Sequence, residues 1–252
     1  MKISIKKSPL SKLLLVYLLA AISLIANSQN TYYSQGTTGI DVNVTTNWDT
    51  NPLGGDTDPT GFGTAADTFI IQASDTCIAN ADWTVAGMLF IEGELNTGSN
   101  VVTIGDSIDI SGTLIVDGTG TMTCNGDIDA NGGTITFTGS GSLNLDGAII
   151  DGWTTLNEGT GTIVYGGGAQ NIIADTYYNL SLSGDDTKTA IETINVGGAF
   201  FTDTIFDMNS RTVTITGAAD INEEITISTG TLTFNGDFTG SGSTISFTGA
   251  GT

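Results

Sequence analysis

The sequence predicts an all-β chain that folds as a right-handed parallel β-helix, or β-solenoid, with an N-terminal cap. Three observations predict it: short segments that alternate between apolar and polar residues, a long stretch without proline, and an internal repeat that aligns without gaps. Two tandem β-sandwiches are the alternative, because they too consist of short strands joined by glycine-rich turns.

The alternating segments have the two-residue period of half-buried strands. Residues 134–138 (TITFT) place Ile135 and Phe137 on one face and three threonines on the other. Residues 212–216 (TVTIT) and 231–234 (TLTF) repeat the pattern with other aliphatic residues. Such alternation of β-branched residues predicts strands with one buried face.

Proline is confined to the start of the chain, at Pro9, Pro52 and Pro59. Because proline cannot donate to a β ladder, its absence beyond residue 59 fits strands that are paired on both sides. The abundant Gly, Asn and Asp residues supply the tight turns between them.

The internal repeat favours a solenoid over sandwiches. Residues 118–142 align with residues 228–252 at an offset of 110, and 14 of the 25 positions are identical. Coils of about 20 residues, stacked at ~4.8 Å, would place about nine coils in residues 67–252. Because the chain ends inside a repeat unit, at Thr252, we expect a longer protein that is truncated here at its C-terminal end.

Residues 1–28 have the features of a secretory signal peptide. Four lysines (Lys2, Lys6, Lys7 and Lys12) precede the apolar run of residues 13–25, and Ala26-Asn27-Ser28 precedes a predicted cleavage site at Gln29. The apolar run is short for a membrane span of ~20 residues, so a retained anchor is the less favoured interpretation. We therefore expect a secreted or outer-surface protein without membrane insertion after cleavage.

Residues 29–66 differ from the repeats and predict a cap. They contain Trp48, Pro52, Pro59 and Phe62 in a polar, aperiodic setting. Such a segment is suited to cover the open edge of the first coil.

The charge balance argues against two classes of partner. Removing residues 1–28 leaves two basic residues, Lys188 and Arg211, against 27 acidic ones, hence a net charge of −25. A surface of this kind repels phosphate backbones and anionic lipids, which argues against binding of nucleic acids and membranes.

The chain has two cysteines, Cys77 and Cys124, and no histidine. In an exported protein the cysteines either form a disulfide or remain small buried apolar residues, and the sequence leaves both open. The lack of histidine removes the commonest metal ligand and the commonest general base.

Several segments resemble large exported surface proteins of Gram-negative bacteria. They are YYSQGTTGIDVNVTTNWDT (residues 32–50), DTFIIQ, ADWTVAG and GTGTIVYGGGAQNIIADTYYNLSLSGDDTKT (residues 159–189). In those proteins, coils of the form T-x-x-[FY]-x-G-x-G-x-Q-x-I followed by Y-x-N-L-x-[LI] build long β-helical stalks, often exported by type IX secretion. The resemblance implies a stalk architecture and leaves the ligand unspecified.

Candidate catalytic residues are few. A polysaccharide lyase needs a basic residue, and Lys188 (in GDDTKT) and Arg211 (in MNSRT) are both predicted to be solvated turn charges. A glycoside hydrolase needs two carboxylates at a set separation. Adjacent acids, such as Asp127/Asp129, Asp185/Asp186 and Glu223/Glu224, are expected by chance in so acidic a chain, so we expect no enzyme.

Aromatic residues offer a second kind of candidate, stacking platforms for extracellular glycans. The candidates are Trp48, Trp83, Trp153, Tyr165, Tyr177 and Tyr178. Core packing is the competing interpretation for each of them.

One segment matches the first half of an EF-hand calcium loop. Residues 127–132 read DIDANG, which offers Asp127, Asp129 and Asn131 as ligands. A true EF-hand is excluded because loop position 12 is Thr138 instead of an acid. The prediction is a solenoid corner that makes at most a weak Ca²⁺ contact, and no other cofactor is expected.

The predicted function is a non-catalytic structural or adhesive stalk of a secreted or cell-surface protein, with extracellular glycans or other surface proteins as partners. The alternative is a fragment of an extracellular carbohydrate-active or glycan-binding β-helix protein.

Overall fold

A computed structural model shows an all-β chain of parallel stacked strands that form a solenoid of about nine turns. This confirms the predicted fold class and excludes sandwiches, whose strands pair antiparallel. The structure describes residues 29–240 and 242–252, so the predicted signal peptide, residues 1–28, lies outside the described residues.

Within the described residues, thirty-one short strands form the solenoid. In chain order they are β1 Thr31–Ser34, β2 Thr38–Asp41, β3 Trp48–Asp49, β4 Thr68–Ile71, β5 Thr76–Ile78, β6 Trp83–Val85, β7 Met88–Ile91, β8 Glu94–Asn96, β9 Val101–Ile104, β10 Ile108–Ile110, β11 Thr113–Val116, β12 Thr121–Cys124, β13 Ile128–Asp129, β14 Thr134–Phe137, β15 Ser142–Leu145, β16 Ile149–Asp151, β17 Thr155–Asn157, β18 Thr162–Tyr165, β19 Gln170–Ile172, β20 Thr176–Tyr177, β21 Asn179–Leu182, β22 Lys188–Ala190, β23 Ile194–Val196, β24 Phe200–Thr202, β25 Phe206–Asp207, β26 Thr212–Ile215, β27 Ala219–Ile221, β28 Glu224–Ile227, β29 Thr231–Phe234, β30 Phe238–Thr239 and β31 Thr244–Phe247. A single 3₁₀ turn, Thr45–Asn47, precedes β3.

From the second coil onwards each full coil contributes one strand to each of three faces, whereas the first coil places β1 and β3 on the first face and β2 on the second. The first face starts as a seven-stranded sheet (β3, β1, β4, β7, β10, β13, β16), here called the first sheet, and continues as a five-stranded sheet from β19 to β31. The second face starts as a six-stranded sheet (β2 to β17) and continues as a four-stranded sheet (β20 to β29). The third face is one unbroken sheet of nine strands, from β6 to β30.

The side chains alternate between the core and solvent along each strand. In β12, for example, Met122 and Cys124 are buried whereas Thr121 and Thr123 face outward. From β4 onwards, register partners on successive coils are 17 residues apart (Thr162 and Asn179) to 22 apart (Asp129 and Asp151). Stacking like residues in register gives a continuous aliphatic core along the axis.

The first coil and its covering segment are built from residues 29–66. Strands β1 and β2 pair in parallel with β4 and β5, so the solenoid begins inside the range that the sequence assigns to the cap. Strand β3 pairs antiparallel with β1 and so occupies the outer edge of the first sheet. Its Trp48 is fully buried and stacks on Trp83 at 5.8 Å, which seals the end of the core.

Two of the three faces are interrupted at the same coil. Among the described strands, β16 does not pair with β19, and β17 does not pair with β20, whereas the third sheet continues through β18. We call this interruption the seam. A slot of about 160 Å³ opens there between Ile149 of one coil and Gln170 of the next. The backbone ladder is therefore continuous across the seam on one face only.

Both cysteines are free and buried. Cys77 lies in β5 on the second face and Cys124 in β12 on the third face. Of the two possibilities that the sequence left open, the structure shows buried apolar residues instead of a disulfide.

Within residues 29–240 and 242–252, no helix is long and apolar enough to cross a bilayer.

Candidate binding surface on the first sheet

One line of outward-facing residues crosses the first sheet along the solenoid axis. Successive register pairs join its members, which we call the outer row: Tyr33, Ile70, Phe90, Asp109, Asp129 and Asp151. The first three are apolar or aromatic and the last three are acidic. The polarity of this face therefore changes abruptly between β7 and β10, at neighbouring strands ~4.8 Å apart.

A shallow groove of about 280 Å³ lies at this change of polarity. Its lining residues are Met88, Phe90, Ser107, Ile108, Asp109, Asp127, Asp129 and Ile150. Ile150 is unusually open for an aliphatic residue, with 59% of its surface exposed. The groove thus combines an aromatic and aliphatic floor with three carboxylates on one side.

The ionised form of the Asp109 carboxylate is destabilised by its surroundings. Partial burial raises its pKa, and the neighbouring negative charges of Asp129 and Glu92 raise it further. Among the described residues, this carboxylate accepts no hydrogen bond, and no basic side chain lowers its pKa. A positively charged ligand would relieve this repulsion, because it would stabilise the ionised form.

Two of the predicted calcium ligands line this groove, and the third follows directly. Asp127 accepts a hydrogen bond from the Ala148 N–H at 3.1 Å, and Asp129 accepts one from the Asn131 N–H at 3.1 Å. Asp127 and Asn131 are exposed, and Asp129 is half-buried. One oxygen of each aspartate is therefore occupied in shaping its corner.

The corner that contains Asp127 is conserved in the repeat for a packing reason. A side chain at Gly126 would come within 2.5 Å of the Asp106 backbone, and one at Gly147, in the next coil, within 1.9 Å of the Gly126 carbonyl oxygen. Stacked corners thus require glycine. In the described part of the chain, no three His, Cys, Asp or Glu side chains converge as a metal site. The weak Ca²⁺ contact remains a prediction.

The other acidic pairs lie elsewhere. Asp185 and Glu223 line a separate depression of about 310 Å³ together with Asp203, Thr204, Ile205 and Gly184. These residues come from successive coils beyond the seam, and they do not contribute to the groove on the first sheet.

The prediction for Lys188 is wrong. Lys188 is fully buried and begins β22, and its ammonium donates hydrogen bonds to the carbonyl oxygens of Gly167 (2.5 Å) and Gly168 (2.6 Å). Burial lowers its pKa, while Asp186, Asp203, Asp146 and Asp185 oppose that effect. It occupies an inward position in register with Gln170 and Phe206, where other coils have apolar side chains.

Gln170 was not singled out from the sequence, although it lies at the centre of the seam. Its amide nitrogen donates to the carbonyl oxygens of Leu145 (2.8 Å) and Gly147 (2.7 Å), and its amide oxygen accepts from the Gly167 N–H (3.1 Å). The side chain therefore supplies hydrogen bonds where the backbone ladder is interrupted. Counted from Thr162, the glutamine of the T-x-x-[FY]-x-G-x-G-x-Q-x-I pattern falls at Asn171 instead of Gln170, so the pattern does not identify this residue.

Arg211 is a surface charge, in agreement with its prediction. It directly follows a turn, its side chain is 40% exposed, and it forms an ion pair with Glu192 at 3.5 Å. It lies apart from the groove on the first sheet.

Most of the aromatic candidates are part of the core. Trp48, Trp83, Trp153, Tyr165 and Tyr177 are buried, which prevents them from stacking on a glycan in this conformation. Tyr178 is the exposed member of that set, at 39%. Phe90, which was not a candidate, is the aromatic residue that lines the groove.

No protein-family model matches this chain, and neither a curated protein nor a solved structure matches it.

Proposed function

We propose that this chain is a structural and adhesive stalk module of a secreted or cell-surface protein. The observation that carries the proposal is the unbroken third sheet, which runs through nine coils and whose outer side is mostly polar, with Val101, Val164 and Phe201 as apolar exceptions. A continuous parallel ladder with an interior aliphatic core is stiff and holds a display surface at a distance from its base.

The proposed export route rests on the sequence. The basic start and apolar run of residues 1–28 support secretion, and the segments quoted above support a relation to Gram-negative surface proteins that use type IX secretion. Outside the cell, the exposed carboxylates would meet glycans or other surface proteins as partners.

The proposed function is tested by expressing the full chain with a C-terminal epitope tag in a Gram-negative host that has a type IX system. We expect antibody labelling of intact cells, a processed N-terminus at Gln29, and stronger attachment of the cells to coated surfaces. A full-length, unprocessed chain retained inside the cells would contradict the proposal.

The groove also favours a second candidate, a glycan-binding or glycan-cleaving β-helix. Phe90 offers an aromatic face beside Asp109, whose raised pKa is the property that a general acid requires. Screening the full chain on plant, algal and bacterial polysaccharides tests this candidate. Release of reducing sugar that is abolished by Asp109→Asn would support it over the stalk.

A further inference from the structure

The described part of the chain has almost no positive charge to balance its acids. All 27 acidic residues lie in it, against two basic ones. The ammonium of Lys188 is bound to backbone carbonyls, and the guanidinium of Arg211 is paired with Glu192. The acidic half of the outer row therefore has no cationic side chain of this described region as its partner.

The acidic depression beyond the seam has one large apolar lining residue, Ile205, whereas the groove at the outer row has an aromatic residue and several aliphatic ones. Phe90 is in register with Asp109, and Met88 and Ile150 complete the groove. A lysine or arginine side chain has the same two-part character, with an apolar stem and a charged head. Its stem would pack on Phe90 and Met88 while its head reached Asp109 and Asp129.

We infer that the outer row and its groove form a docking surface for an extended, lysine- or arginine-rich segment of a partner protein. The inference deepens the proposed adhesive function and rests on it. The carboxylates of Asp109, Asp129 and Asp151 extend over about 10 Å at ~4.8 Å per strand, and alternate side chains of an extended segment are about 7 Å apart. Two cationic side chains of such a segment can therefore reach the row together.

Two other occupants are less well supported by this geometry. A Ca²⁺ ion needs six to eight converging oxygen ligands, but one oxygen each of Asp127 and Asp129 is bound to a backbone N–H. A neutral glycan could donate hydroxyl groups to the carboxylates, yet it would leave their mutual repulsion in place. Charge complementarity therefore favours the cationic polypeptide.

The test measures binding of a fluorescent octalysine peptide to the full chain by anisotropy at low and at physiological ionic strength. We expect Asp109→Asn/Asp129→Asn to weaken binding about tenfold, and Phe90→Ala to weaken it about threefold. The matched control is Asp220→Asn/Asp237→Asn, which removes the same charge from two exposed residues remote from the first sheet. We expect this control to change binding by less than twofold. Thermal unfolding of every variant checks that each is folded.

Equal weakening by the row variant and the control variant would overturn the inference, because it would show attraction to net charge alone. The inference would also be overturned if octalysine failed to bind while calcium chloride or a polysaccharide bound in a manner that depends on Asp109 and Asp129. Export and attachment of cells are measured separately. A row that binds no peptide on a normally exported chain would overturn this inference alone, whereas a retained chain would contradict the stalk proposal.

Discussion

Lys188 lies in register with Gln170 on the inward side of the first face, and together their side chains bind four backbone carbonyls at the seam. Gln170 holds those of Leu145 and Gly147, and Lys188 holds those of Gly167 and Gly168. Hydrogen bonds to a charged donor contribute more than neutral ones. Gln170 thus joins coils whose strands on this face do not pair, and Lys188 fixes the glycine turn that precedes β19.

Lys188→Ala is expected to lower the free energy of unfolding by about 2–4 kcal/mol, because it removes a buried stem and two charge-assisted hydrogen bonds. Urea unfolding measures the loss. Arg211→Ala removes the other cation of the described region, an exposed one, and should cost about 0.5 kcal/mol or less. Equal, small effects of the two substitutions would mean that Lys188 is solvated, as its sequence context predicts.

A second hydrogen-bonded pair crosses the interior near the seam. The hydroxyl groups of Tyr165 and Tyr177 are 3.0 Å apart, Tyr177 donates to the Ile173 carbonyl oxygen at 2.6 Å, and Tyr165 accepts from the Ile173 N–H at 3.2 Å. Both side chains are fully buried. Loss of one hydroxyl therefore leaves buried polar groups without a partner.

We expect Tyr165→Phe and Tyr177→Phe each to cost about 1–3 kcal/mol, and the double variant to cost clearly less than the sum. A double-mutant cycle by urea unfolding measures the coupling. Tyr178→Phe, at the exposed neighbouring position, is the control and should be nearly neutral. Strictly additive losses would show that the two hydroxyl groups do not act together.

The buried cysteines give a prediction for alkaline pH. Burial raises the pKa of both thiols from 9.0 to about 12. The stability that these thiols contribute is therefore complete below pH 9 and is lost as the pH rises from 9 towards 12, since only the unfolded chain then ionises them. At pH 10 the loss should be about 1 kcal/mol for each thiol.

Urea midpoints at pH 8 and pH 10 measure this loss, and Cys77→Ala/Cys124→Ala should reduce the pH dependence. Iodoacetamide should label neither cysteine in the folded chain and both in urea, as measured by mass spectrometry. Rapid labelling of the folded chain at pH 8 would show that the thiols are accessible, contrary to this expectation.

The sequence was sufficient to predict the solenoid, because the two-residue alternation and the glycine corners indicate short strands and tight turns, and the internal repeat favours a solenoid over sandwiches. The sequence was insufficient to predict which face of the solenoid each copy of the repeat occupies. Residues 121–124 form β12 on the third face, whereas their counterparts 231–234 form β29 on the second face. Each strand needs only an inward pair of apolar residues, so a strand–turn–strand unit fits any face.

The sequence predicts only some of the residues that form the candidate surface. Asp127 and Asp129 were selected as possible ligands, but Asp109 and Phe90 were not, because their proximity depends on stacking across coils 19 residues apart (Phe90 and Asp109). Lys188 was misplaced for a similar reason. Its polar neighbours indicate a turn, and its burial depends on the carbonyls of Gly167 and Gly168, which the preceding coil presents.

The repulsion around Asp109 gives a last prediction, with a definite sign. The pKa of Asp109 is raised by burial and then by Asp129 and Glu92, while Asp127 and Asp151 add negative charge on the same face. Because the folded state holds this proton more tightly than the unfolded state, stability is complete below the unfolded pKa of about 3.8 and is lost as the pH rises through the folded value. Asp109→Asn removes the charge and should therefore stabilise the protein at pH 7 by roughly 0.2–1 kcal/mol, the range of an exposed charge interaction.

At pH 3 the carboxyl of Asp109 is protonated in both states, so wild type and variant should unfold at the same urea concentration. Salt supplies an independent check, because 1 M NaCl screens the repulsion and should reduce the difference at pH 7. A destabilised variant at pH 7, or one equally stabilised at pH 3, would show that Asp109 contributes through packing and that the outer row carries no unrelieved charge for a cationic partner to neutralise.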